Sequence, residues 1–151
     1  MVFIFRNGLA TGEVSAAESH SVTETVQDVV GAIDPTSPIA TAEGAEFDLL
    51  HACVREAAHF IEYFLFAALA FGTFLSFVQK GKWRYAFIPP IVVVLTVFTD
   101  EYLQSLTAGR GAQMVDVMVD LIGALFGLAL SLLVFWAVKW LTHALKIGEV
   151  R

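Results

Sequence analysis

VMVDLIGALFGLALSLLVFWAV, residues 117–138, carries a single charged side chain, Asp120. A helix of about 20 apolar residues crosses the hydrocarbon core of a bilayer. The stretch therefore predicts a membrane span, which its neighbours extend to Met114–Leu141. Two shorter apolar runs precede it, Ala57–Val78 and Ala86–Gln104. The second is long enough only if its helix continues through Thr99-Asp100-Glu101. Pro89-Pro90 are tolerated near its start, where few helical bonds are lost. The three runs predict an all-α fold, a small polytopic membrane helix bundle with three transmembrane spans. Composition agrees, with 57% hydrophobic and 16% charged residues against roughly 45–50% and about 25% in soluble domains. The lone Cys53 excludes an intramolecular disulfide and fits no zinc spacing. No basic patch interleaved with aromatics points to nucleic acid.

Charge is segregated along the chain. Six of the nine basic residues fall in the link Gln79–Tyr85 or in the tail from Lys139 onward. Three crossings between Ala57 and Leu141 put those two places on one side of the membrane. The positive-inside rule makes that side cytoplasmic, and Trp83 and Tyr85 suit the headgroup level. The Asp100–Gly111 loop and the N-terminal segment then face outward. That segment carries eight acidic residues between Glu13 and Asp48 and no Lys or Arg from Asn7 to Leu50. Ser19–Val30 predicts a short amphipathic helix with Val22, Val26, Val29 and Val30 along one side. Asp34-Pro35-Thr36-Ser37-Pro38 predicts a turn. The composition leans toward partial disorder, as a solvated acidic segment or as a cap over the polar loop.

Polar residues converge on the predicted outer ends of the spans. Arg55, His59, Glu62 and Tyr63 fall at i, i+4, i+7 and i+8, one helical face. Asp100 and Gln104 share a face at the end of the second span, with Glu101 beside them. The loop adds Gly109-Arg110-Gly111, and Asp116 and Asp120 follow at i, i+4 in the third span. Gly123 and Gly127 continue that stripe, a spacing that lets membrane helices approach closely, within one chain or between copies. An isolated carboxylate in the bilayer costs roughly 2.5–3.5 kcal/mol or more, so the pattern asks for pairing. Arg110 is expected to reach Asp116 or Glu101 in a bidentate contact.

These residues resemble the VanZ-like family of small membrane proteins. The resemblance is carried by Arg55-Glu56-Ala57-Ala58-His59-Phe60-Ile61-Glu62-Tyr63, Asp100-Glu101-Tyr102-Leu103-Gln104, Gly109-Arg110 and Asp116-Val117-Met118-Val119-Asp120-Leu121-Ile122-Gly123. They follow the order R-K-x-x-H-F-x-E-Y, D-E-x-x-Q, G-R and D-x-x-x-D/N-x-x-G across about half the chain. A weaker echo lies in Ile4-Phe5 and Val14–Ser19. Two departures stand out. Glu56 replaces a lysine common in the family, and the family's first hydrophobic helix is reduced to Met1–Phe5. The resemblance thus implies a fourth span in the full-length protein, truncated here. It also implies three regions: residues 1–54, an acidic extracytoplasmic segment with the helix remnant; 55–145, the transmembrane domain; and 146–151, a basic cytoplasmic tail.

The resemblance further implies a role in glycopeptide (teicoplanin-type) antibiotic resistance or cell-envelope maintenance, with no established reaction. One reading is an outward polar pocket in a multi-pass cell-membrane protein that binds a headgroup, a lipid-linked cell-wall precursor or the drug. In it Arg55 and Arg110 engage anionic groups, and the carboxylates orient them or attract a cation. A second is a membrane enzyme on a lipid-linked substrate, with His59 as general base or metal ligand and Glu62, Glu101, Asp116 or Asp120 completing the site. There is no Ser-nucleophile motif, H-E-x-x-H or P-loop to name a reaction. No cofactor and no dedicated metal ligand set is indicated. A membrane scaffold or transporter component is the third reading, against which stand the few spans and the lack of an internal repeat.

Overall fold

The computed structural model describes residues 12–78, 83–107 and 113–148. Among them are four α-helices and no strand: α1, Gly12–Ile33; α2, Ala45–Phe77; α3, Ile88–Ser105; and α4, Met114–Gly148. A 3-10 turn, Trp83–Tyr85, leads into α3. Three helical segments are long and apolar enough to cross a membrane: Ala45–Phe77, Trp83–Ser105 and Met114–Leu145. The chain forms two compact units, one of Met1–His59 and Thr99–Asp116, the other of Phe60–Phe98 and Val117–Arg151.

In the first unit α1 is longer than the predicted Ser19–Val30. Glu13 sits in its first turn, where a negative charge complements the helix dipole. It ends at Ile33 because Pro35 pushes Asp34 out of helical geometry. The inward residues are only partly the valines. Val22 and Val29 are exposed, Val26 and Val30 are half-buried and Thr23 is fully buried, with half-buried Ser19 and Ser15 one and two turns before it. Small side chains with self-satisfied hydroxyls can be buried at little cost. Ser19 Oγ donates to Ser15 O and Thr23 Oγ1 to Ser19 O, both at 2.8 Å.

Specific bonds order the link between α1 and α2. The backbone N–H and the hydroxyl of Thr36 donate to Asp34 Oδ1 at 2.9 and 2.7 Å. The hydroxyl bond, followed by the backbone one, holds the Asp34 carboxyl below its ordinary range. That support is complete above the ordinary carboxylate value and is lost as pH falls through the lowered one. Gln27 Nε2 donates to Ile39 O and Ala42 O, each at 3.0 Å, and the His20 ring lies 4.9 Å from Phe47. Gln27→Ala leaves two turn carbonyls without this donor and is expected to cost about 1 kcal/mol locally. Faster amide exchange across residues 34–44, with α3 and α4 unchanged, is the measurement.

α2 starts at Ala45, twelve residues before the predicted span. Gly44 supplies the left-handed turn that opens it, at φ 54°, and no breaker separates Gly44 from Ala57. Its 33 residues extend about 50 Å, well beyond a hydrocarbon core of about 30 Å. α3 does continue through Thr99-Asp100-Glu101 to Ser105. Pro89 and Pro90 stand in its first turn, where an N–H has no helical partner in any case.

The second unit is inside-out relative to a soluble core. Tyr63, Ala67, Phe71 and Leu75 form the buried stripe of α2, while Leu69 and Leu133 are 70% and 68% exposed. Only 22%, 33% and 22% of the three apolar segments is buried. An outward apolar surface this continuous suits the lipid-facing exterior of a multi-pass membrane protein.

Within this unit α4 meets α2 at backbone distance. A Cβ on Gly123 would collide with the carbonyl oxygen of Phe60. One on Gly127 would collide with that of Phe64 and come within 2.9 Å of Ala68 N. A turn further along α4, the Ser131 hydroxyl donates to Ala68 O at 2.8 Å. At the other end of α3 from Asp100, Trp83 lies edge-on to Phe135 at 5.7 Å. Lys139 sits over Phe135 at 4.6 Å, and Arg84 over Tyr85 at 4.8 Å. The short Trp83–Tyr85 turn and the Lys139 region are thus neighbours.

Candidate functional site

The site is built where α3 ends and α4 begins, in the first unit. Asp100, Glu101 and Gln104 occupy the last turns of α3 and are 4%, 7% and 2% exposed. Gln104 Nε2 donates to Asp100 Oδ2 at 2.9 Å, the bond their i, i+4 spacing allows. Glu101 Oε1 accepts the backbone N–H of Gln113, the residue just before α4. A carboxylate on one helix end thereby holds an amide at the mouth of the next, where early N–H groups have no partner inside the helix.

Asp116 lies in the first turn of α4 and is 3% exposed. Its Oδ1 is 3.6 Å from Arg55 Nη2. The same guanidinium nitrogen is 2.9 Å from Glu56 Oε1. One arginine thus serves carboxylates from α2 and α4. Among the described residues, Arg55 Nε and Glu56 Oε2 are buried without a hydrogen bond, and Asp116 Oδ1 has only its longer ion pair. The group combines one guanidinium, four carboxylates and an amide. Together they can hold a ligand that offers hydrogen-bond donors or positive charge, with Arg55 available to an acidic group.

Among the sequence candidates, Arg55, His59, Asp100, Glu101, Gln104 and Asp116 belong to the first unit. The contacts above join Arg55 to Asp116 and Asp100 to Gln104; His59 is half-buried. Arg110 and its expected contact lie outside the described residues, and Arg55 is the arginine seen beside Asp116. Glu62, Tyr63, Asp120, Gly123 and Gly127 belong to the second unit. There Tyr63 and Asp120 are fully buried, at 0% and 1% exposure, and Glu62 is half-buried.

Glu56 was not among the candidates, although it contacts Arg55. Helix spacing could not reveal it, since i, i+1 residues do not share a face. A long guanidinium bridges that angle where a short side chain would not. Among the described residues, no group of three or more His, Cys, Asp or Glu is placed to hold a metal ion. A cavity of about 150 Å³ lies in the second unit between α2, α3 and α4, and its lining contains none of the polar candidates.

Against known proteins, the family model described as VanZ/LLP1 matches residues 1–136. No curated protein and no solved structure matches.

Proposed function

The chain belongs to the VanZ-like family, and from that premise we propose a ligand-binding membrane protein of glycopeptide (teicoplanin-type) resistance or cell-envelope maintenance. The acidic cluster at the α3–α4 junction is its binding element. The observation that carries this reading is the near-complete burial of Asp100, Glu101, Gln104 and Asp116 at the ends of helices of membrane length. Carboxylates there are expensive unless they have work to do. Among the described residues the cluster sets one arginine beside four carboxylates, which favours the amine and hydroxyl groups of a cell-wall precursor, a headgroup or the drug.

Orientation follows from the two ends of the Trp83–Ser105 segment. Its start carries Arg84 and aromatic rings and takes the cytoplasmic side under the positive-inside rule. Its end carries Asp100, Glu101 and Gln104 and faces out, where envelope ligands are found.

The test is protection of a sensitive host against a teicoplanin-type glycopeptide. Asp100→Asn and Glu101→Gln keep shape but remove charge. Each is expected to lower ligand affinity by about 1.5–3 kcal/mol, roughly tenfold to a hundredfold, and to bring protection close to that of empty vector. Variants that reach wild-type membrane levels and still protect fully would overturn the site. A wild type that gives no protection would overturn the resistance role.

A further inference from the structure

We propose that the apolar cavity of the second unit holds one acyl chain of an anionic phospholipid whose headgroup rests at the Arg84–Lys139 end. The cavity's floor is buried: Ala67, Phe71, Val93 and Ala124 are 3–8% exposed. Its rim is not, because Val94 and Leu125 are 40% and 62% exposed. The opening therefore gives sideways onto the lipid-facing surface of the spans. A cavity of about 150 Å³ with aliphatic and aromatic walls stays free of water and accepts an apolar guest. In a bilayer the apolar molecules at hand are lipid chains.

The void has a local cause. Ala67 and Ala124 put methyl groups where longer side chains would meet α3, and Pro89 and Pro90 occupy the first turn of α3 on the same wall. α2 and α4 are held together elsewhere, at Gly123 and Gly127.

Charge and depth select the headgroup. Trp83 packs on Phe135 and Lys139 covers Phe135, which places Arg84 and Lys139 at one level. Leu128, on the cavity wall, stands seven residues before Phe135, about 10 Å along the helix. The headgroup region is about 5–8 Å deep on each side, given a hydrocarbon core of about 30 Å inside a bilayer of about 40–45 Å, so the cavity wall lies within reach of the upper acyl chain. Two exposed cations at the chain's entrance favour a phosphate that carries net negative charge.

Native mass spectrometry of the full chain, released from detergent with equal phosphatidylglycerol and phosphatidylcholine of matched chains, tests the site. Wild type is expected to retain one lipid, mainly phosphatidylglycerol. Arg84→Gln should lower that preference about fivefold, the effect of one basic side chain near a charged headgroup, while a lipid is still retained. Ala124→Phe and Ala67→Leu fill the cavity and should lose the retained lipid, whereas Leu133→Phe on the exposed face should not. As a readout independent of how the filling variants fold, wild type is also crosslinked with phosphatidylglycerol bearing a diazirine in its acyl chain. Adducts concentrated on Phe71, Val94 and Leu125 support the site. Adducts spread evenly over outward residues such as Leu69 and Leu133, or folded filling variants with undiminished lipid, overturn it.

Discussion

Gly127→Leu is expected to abolish the folded state, with protein recovered from the membrane in aggregated form and no cooperative thermal transition in detergent. A Cβ alone at this position would already strike the Phe64 carbonyl oxygen, and a backbone atom cannot rotate aside. Overpacking typically costs about 1–3 kcal/mol where side chains can adjust. Here α4 must move off α2, so the loss exceeds that range and also breaks the Ser131–Ala68 bond, itself worth about 0.6 kcal/mol in membrane helices. Gly127→Ala and Gly123→Ala should lower the transition in proportion to the same obstruction. Gly72→Ala is the contrast. Its Cβ would meet only Ser131 Oγ, at 3.7 Å, an ordinary contact. It should leave stability unchanged or raise it by up to about 1 kcal/mol through helix propensity. If Gly127→Leu melts with Gly72→Ala, the close approach of α4 to α2 is wrong.

The spans were legible because lipid relaxes the usual need for alternation. A helix that faces hydrocarbon on most sides is apolar on most sides, and Val117–Val138 announces itself without periodicity. Helix ends were less legible for a related reason. Residues 45–56 are polar enough to leave the membrane, and an apolar run stops where lipid stops, although backbone hydrogen bonding does not. The inward side of α1 was only partly legible, since Val26 and Val30 are half-buried but Val22 and Val29 are exposed. The most buried residue is Thr23, preceded by half-buried Ser19 and Ser15, and the hydroxyls of Thr23 and Ser19 bond their own helix. Gly123 and Gly127 were visible as a spacing, but their counterpart on α2, the backbone of Phe60, Phe64 and Ala68, has no sequence signature. The cavity was invisible for the same reason, since an empty volume depends on how three helices stand together.

Within the charged cluster, the removal of Arg55 should do far more harm than the removal of any one of its partners. Arg55→Met leaves Asp116, 5% exposed in its side chain, and Glu56, 26% exposed, without their shared cation. Breaking a buried pair from one side costs about 3–5 kcal/mol because a charge is left behind. Arg55 itself is 33% exposed, and water reaching the site lowers the expected loss to roughly 1–3 kcal/mol. Asp116→Asn removes a charge but leaves Arg55 bonded to Glu56 at 2.9 Å, so its cost should stay below about 1 kcal/mol. The double variant Arg55→Met/Asp116→Asn is then expected to be more stable than Arg55→Met alone, since it carries one orphaned carboxylate rather than two. Thermal unfolding of the four proteins in one detergent closes the cycle. Asp116→Asn as damaging as Arg55→Met, with simple additivity in the double variant, would mean that the arginine does not neutralise this pair. The cluster would then draw its stability from the hydrogen bonds of Asp100, Glu101 and Gln104 alone.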